Sequence, residues 1–172
     1  MAEARAAATL ETPRLRLRAF GPADAPAYTE MCADAEVMRH IGIGQVQSAG
    51  EAWRTMAYFL GHWQLRGYGM WALEHRDSGR LIGRVGYLDP PGWPGFELGW
   101  LLGRAHWGHG YAREAAAAAL GHAFEVLQRE RVISLIRPGN HRSVAVAEAI
   151  GQRLHGSIEL MGGEALLYEA LR

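Results

Sequence analysis

Phe96-Glu97-Leu98-Gly99-Trp100-Leu101-Leu102, followed by Trp107-Gly108-His109-Gly110-Tyr111-Ala112, is the stretch that decides the fold. Side chains alternate across a strand, so Phe96, Leu98 and Trp100 form one apolar face while Glu97, Gly99 and Leu101 share the other. The glycines at 108 and 110 then let the chain turn sharply without a Cβ in the way. From Tyr111 the sequence runs into its longest helical pattern, residues 111–127, with Ala112, Ala116, Leu120, Ala123 and Leu127 on one face. The alanine run 115–119 is a strong helix former, and its small side chains permit close packing on a sheet. A strand, a glycine turn and a helix in this order place unpaired amides and the positive end of a helix dipole at one point, which suits a pyrophosphate.

Upstream, residues 14–18 alternate Arg with Leu as a half-buried strand. Helical pieces follow at 24–33 and 36–40, with Pro26 later in the first than proline prefers. Ser48 and Glu51 have capping-box spacing, opening a helix that ends near Gly67. Residues 70–75 and 81–88 read as strands joined by Asp77-Ser78-Gly79, and prolines and glycines keep 89–95 irregular. Downstream, 131–136 reads as a buried strand and 143–150 as a short helix ending at Gly151. Strands at 154–159 and 165–171 flank Gly162 and Gly163. With residues 1–12 as a flexible tail, residues 13–172 form a single domain around a mixed α/β sheet.

The 172 residues suit one hydrophobic core. Lys plus Arg and Asp plus Glu both number 18, so no global field draws nucleic acid, although a local basic patch can still form in the fold. Cys32 is the lone cysteine, which leaves neither an intramolecular disulfide nor a cysteine-pair zinc site. The histidines do not cluster as metal ligands. No apolar run approaches the ~20 residues that cross a bilayer, and residues 1–11 lack a signal-peptide core. The expectation is a cytoplasmic protein with no metal and no membrane or nucleic-acid partner.

Three segments carry candidate chemistry. The 107–112 loop is a phosphate cradle. No Walker loop is present, and Arg113 stands where a dinucleotide fingerprint needs a small residue. Glu97, beside Gly99, is a candidate general base. Asn140 and Ser143 follow the break at Pro138-Gly139, where such residues bond a polar ligand or simply cap and turn. Taken singly, each has an equally plain structural explanation.

Together they occur in the order and spacing of the GNAT superfamily. Residues 97–102 and 107–115 closely resemble its RimJ/RimL branch of protein N-terminal acetyltransferases, as do 10–18, 24–25, 36–41, Asn140 with Ser143, and 148–151. The resemblance covers nearly the whole chain from Leu10. It implies a mixed, mostly antiparallel sheet splayed between its fourth and fifth strands, with flanking helices and acetyl-CoA in the gap. It further implies that Trp107, Gly108, His109, Gly110, Tyr111 and Ala112 hold the pyrophosphate, and that Leu101 and Leu102 pair with the pantetheine amides. Asn140 would bind the pantetheine arm, Ser143 would sit near the sulfur, and Glu97 would act as base directly or through water. Ala105 replaces a usual Gln or Arg, Gln152 a usual aromatic, and the tyrosine that often protonates the thiolate is missing.

The implied reaction is acetyl transfer to a primary amine. An α-amine, with a pKa of about 7.7–8.0, needs less help from a base than a lysine at about 10.4, so a protein or peptide N-terminus is the expected acceptor. A small-molecule amine, or coenzyme binding without catalysis, are the alternatives, and a homodimer is compatible with each. The acceptor side is expected near residues 38–45, the helix from Ser48, and the 89–95 loop, where Trp93 either walls the pocket or is a surface aromatic.

Overall fold

The computed structural model describes residues 7–172. Eight strands form one sheet in the order β1-β2-β3-β4-β5-β6-β8-β7. They are β1 Leu10–Glu11, β2 Leu15–Arg18, β3 Met70–His75, β4 Arg80–Leu88, β5 Glu97–Leu102, β6 Arg131–Ile136, β7 Arg153–Leu160 and β8 Gly163–Leu171. The helices are α1 Ala25–Ala33, α2 Ala35–Met38, α3 Ala49–Arg66, α4 Tyr111–Glu125 and α5 His141–Ala149. This is the expected mixed α/β sheet with flanking helices.

Every strand pair is antiparallel except β5 with β6, which touch at one register position, Glu97 opposite Ile133. Counting the short β1, these are the strands expected fourth and fifth, and the sheet opens between them. Hydrogen bonds across the joint hold the closed end. The Ile133 amide donates to the Phe96 carbonyl at 3.0 Å, and buried Ser134 Oγ donates to the Leu98 carbonyl at 2.6 Å. Beyond them the edges of β5 and β6 part.

One sheet face packs on α4. Ala115, Ala116, Ala119 and Ala123 are fully buried there against Trp71, Val85, Tyr87 and Leu98. The methyl side chains let the helix backbone lie close to the sheet, as the alanine run implies. The other face packs on α1 and α3 through Tyr28, Met56, Phe59, Met70 and Leu101.

Several local expectations shift. The tail expected through Thr12 stops earlier: Leu10 and Glu11 pair with Leu17 and Arg16, and the Ala8 carbonyl accepts the Trp71 Nε1 proton at 2.6 Å. A two-residue strand has no periodicity to reveal it. Residues 1–6 of that tail lie outside the described residues. Pro26 is well placed after all, because a 3-10 turn at Pro22–Asp24 precedes α1 and brings the proline into its first turn. Helix α4 ends at Glu125 rather than 127, where Gln128 takes a positive φ of 52°. Helix α5 starts at His141, capped by the Asn140 side chain. The Ser48–Glu51 capping box forms as read.

Candidate active site

Where the sheet opens, a cleft of about 620 Å³ lies along the end of β5, between the loop that leads into α4 and the start of α5. Leu101, Leu102, Trp107, Gly108, Gly110, Tyr111, Ala112, Asn140 and Ser143 all line it. Residues widely separated in sequence meet there because α4 starts beside the end of β5 and α5 starts beyond the end of β6. Arg39, Arg113 and Arg142 line the same cleft, with Glu36 as its one carboxylate. A chain of zero net charge therefore gathers a local cationic surface, which favours a polyanionic ligand.

The loop before α4 fits a diphosphate. Gly108 and Gly110 both have φ of 79°, in the left-handed region that favours glycine. Gly110 is the N-cap and supplies no side-chain acceptor. The Trp107 amide, expected in the cradle, is already taken by the Arg104 carbonyl at 3.2 Å because a 3-10 turn at Arg104–His106 precedes it. No acceptor among the described residues takes the amides of residues 108–113, and the next paired one is Glu114, whose N–H reaches the Gly110 carbonyl at 3.0 Å. Successive unpaired N–H groups at the mouth of a four-turn helix form an anion-binding concavity. A side chain at Gly110 would meet Arg14 Nη2 at 3.5 Å rather than enter the cleft. The glycine is required by the turn of the loop itself.

The His109 side chain turns aside, leaving the residue's amide as its expected contribution. It does not line the cleft; its ring stacks on Tyr111 with centroids 5.5 Å apart, and its Nδ1 lies 2.8 Å from the Trp107 carbonyl. Trp107 donates Nε1 to the Leu102 carbonyl at 2.9 Å and carries the Arg142 guanidinium over its ring at 4.2 Å. That contact spans the cleft from the start of α5 to the loop after β5.

Leu101 and Leu102 also divide their roles. The Gly103 amide donates to the Ile82 carbonyl at 2.9 Å, and Leu101 stands opposite Arg84 in the same ladder. By the alternation of an antiparallel pair, the main-chain groups of Leu101 face β4, and those of Trp100 and Leu102 face the gap. The Leu102 carbonyl is already taken by Trp107. The main-chain groups open to a pantetheine-like amide are thus those of Trp100 and the Leu102 N–H, with Leu101 offering its side chain.

Asn140 Oδ1 accepts the Ser143 amide at 3.3 Å, which leaves the Asn140 NH2 and the Ser143 hydroxyl available to a ligand. Tyr168, on β8, does not replace the missing tyrosine, since it is buried and its hydroxyl is 3.5 Å from Glu148 Oε1. Gln152 fills the usual aromatic place as a fully buried side chain, with Nε2 3.4 Å from the Val132 carbonyl and Oε1 unpaired.

Glu97 is not among the residues that line this cleft; it sits at the closed end of the gap, half-buried on the face that carries α1 and α3. Burial pushes its carboxyl up to about 7, against the opposing pull of the Trp93 indole N–H, the Arg84 charge and the Leu135 amide. Trp93 Nε1 donates to Glu97 Oε2 at 2.7 Å. Trp93 is thus tied to Glu97 rather than being a stray surface ring, and like Glu97 it lies outside the cleft lining. The nearby Arg84 is buried, forms no ion pair with a carboxylate among the described residues and leaves Nε unbonded, while its Nη1 donates to Met70 Sδ at 3.6 Å and its guanidinium lies 5.1 Å from the Phe59 ring centre. Sequence reasoning had no signal for Arg84, because an arginine alternating along a strand reads as solvent-facing.

Residues 14–153 match the family model described as "Acetyltransferase (GNAT) domain". The Bacillus subtilis protein YkkB is 31% identical over 168 residues, covering 93% of this chain and 94% of its own. The crystal structure of an acetyltransferase from Agrobacterium tumefaciens superimposes with a TM-score of 0.86 at 36% identity, covering 96% of this chain and 95% of that one. RimL, a ribosomal α-N-protein acetyltransferase solved in complex with coenzyme A, superimposes at 0.79 with 20% identity, covering 95% and 98%. That last likeness is one of fold.

Proposed function

The chain belongs to the GNAT family of acetyltransferases, which take an acetyl group from acetyl-CoA, and on that premise we propose that its acceptor is the α-amine at the N-terminus of a protein or peptide. The observation that carries this reading is Glu97, a carboxyl pushed up to about 7 at the point where β5 and β6 part. A base works best when its pKa lies near the working pH. An α-amine at about 7.7–8.0 is within reach of such a base, whereas a lysine amine at about 10.4 is a far weaker proton donor to it. RimL, which shares the fold, acts on α-amines of that kind.

The thioester presents a carbonyl that a neutral amine attacks. Glu97, directly or through water, takes the proton the amine sheds, and Trp93 Nε1 holds the carboxylate in place. The amides of residues 108–113 hold the diphosphate, and Asn140 and the strand edge at Trp100 and Leu102 orient the pantetheine arm. The Trp100 N–H, on the same edge and nearer Glu97, is suited to the oxyanion, which leaves the Trp100 carbonyl and the Leu102 N–H to the pantetheine arm. Ser143 donates a hydrogen bond to the departing sulfur; a thiolate with a pKa of about 8.5 leaves without a strong acid. No covalent enzyme intermediate is needed.

The test is thioester consumption with a panel of peptides bearing free N-termini, the same peptides with blocked N-termini and a free lysine, and small amines. Turnover confined to the free N-termini supports the proposal. Preference for lysine or for small amines overturns it.

A further inference from the structure

From the contacts behind the α4 loop we infer that Arg14, at the turn between β1 and β2, is a positioning residue for the coenzyme diphosphate, acting through the His109 carbonyl and Glu114. The inference rests on reading the 108–113 amides as the diphosphate site.

Arg14 lies about a hundred residues from that loop in sequence and outside the cleft lining. Its Nη1 donates to the His109 carbonyl at 2.9 Å. A trans peptide holds its C=O and its N–H on opposite sides. Tying the His109 carbonyl to Arg14, behind the loop, therefore turns the Gly110 N–H the other way. Gly110 lines the cleft, so the bond aims that amide at the anion. The guanidinium also lies over the Tyr111 ring, 4.6 Å from its centre.

Arg14 has a second effect. Glu114 sits in the first turn of α4. An acid there is favourable for the helix but competes with a bound diphosphate for the same positive end. Glu114 is fully engaged elsewhere. Its Oε2 accepts Arg14 Nε at 2.7 Å, and its Oε1 accepts the Arg14 amide at 3.0 Å and the Thr12 hydroxyl at 2.6 Å. Burial opposes ionisation, yet these donors hold the Glu114 carboxyl below its ordinary range. The carboxylate is thus neutralised and turned toward the N-terminal segment. One guanidinium sets the direction of an amide and cancels a charge beside it.

The experiment compares acetyl-CoA with S-acetylpantetheine, a donor that lacks the diphosphate, in the wild-type protein and in Arg14→Met. The ratio of kcat/KM for acetyl-CoA to that for S-acetylpantetheine is expected to fall about tenfold, through KM, because the lost interaction is confined to the diphosphate. In Arg14→Met, adding Glu114→Gln is expected to restore about threefold by removing the freed charge. Equal loss with both donors would mean a merely structural role and overturn the inference, as would an unchanged ratio. Should Arg14→Met fail to fold, Arg14→Lys asks the same question, since one ammonium cannot replace the planar fork; a ratio lowered about threefold supports the inference and wild-type behaviour defeats it. Coenzyme A calorimetry on the wild-type protein separates the two levels. No binding there defeats the diphosphate site itself, whereas normal binding with an unaltered ratio defeats only the role of Arg14.

Discussion

Glu97 shows how a residue's place in the fold changes its chemistry. In a strand read from sequence it is a candidate base and equally a surface carboxylate. At the closed end of the splay it is half-buried, and burial outweighs three stabilising partners to bring its carboxyl to about 7. The acid limb of kcat/KM is expected at about pH 7, with rate rising as Glu97 loses its proton. Glu97→Gln should lower kcat about 10- to 100-fold near pH 7, abolish that limb, and leave coenzyme A affinity within about twofold. Steady-state kinetics from pH 5.5 to 9 would check this, and an unchanged profile would remove Glu97 from the reaction. The same burial has a stability consequence of definite sign. A carboxyl whose folded pKa lies above its unfolded value contributes most below pH 4.5 and loses that contribution as pH rises through about 7. Between pH 5 and 8 the wild-type protein should lose about 3 kcal/mol relative to Glu97→Gln, read from urea unfolding at each pH.

At the scale of elements, the decisive unit is β5, its loop and α4. Gly110 has φ of 79°, where a β-branched residue is strained by about 1–3 kcal/mol. Gly110→Val is expected to weaken coenzyme A binding at least about tenfold in a protein that remains folded. Its cause is rearrangement of the loop and of Arg14, since the added Cβ points away from the cleft. Calorimetry giving wild-type affinity would refute the amide cradle. The glycines and the helix they precede were legible in sequence, because glycine spacing and the alanine run act locally. The clamp by Thr12, Arg14 and Glu114 was not, because nothing in a sequence pairs residues about a hundred positions apart. The outward turn of the His109 ring was hidden for a related reason: a loop read as a row of amide contacts does not show which side each side chain takes.

Across the whole molecule, the sheet is two pieces joined at one register position and bridged by few hydrogen bonds. A ligand lying in the gap touches both, so its binding energy couples them. Coenzyme A at about 100 times its Kd should add about 2.7 kcal/mol and raise Tm by about 5–10 °C. A smaller effect from S-acetylpantetheine at equal concentration would place much of that energy on the diphosphate. Thermal scans at several ligand concentrations would decide, and an unmoved Tm would contradict binding in the cleft. Ser134, whose buried hydroxyl supports the Leu98 carbonyl across the joint, is a second handle. Ser134→Ala leaves that carbonyl unpaired and should cost about 1–3 kcal/mol, measured by urea unfolding.

The amino-acid order by itself determined the seven longer strands, the five helices to within a few residues of their ends, the Ser48 cap, the glycine turn before α4 and the family resemblance. All of these follow from backbone preference, periodicity or spacing along a short stretch of chain. Tertiary structure alone decided which carboxylate is desolvated, which arginine is buried without a carboxylate, which face of the loop meets the cleft, and that Arg14 stands behind it. Those properties depend on local dielectric and on distances between segments remote in sequence, and neither exists until the sheet has assembled.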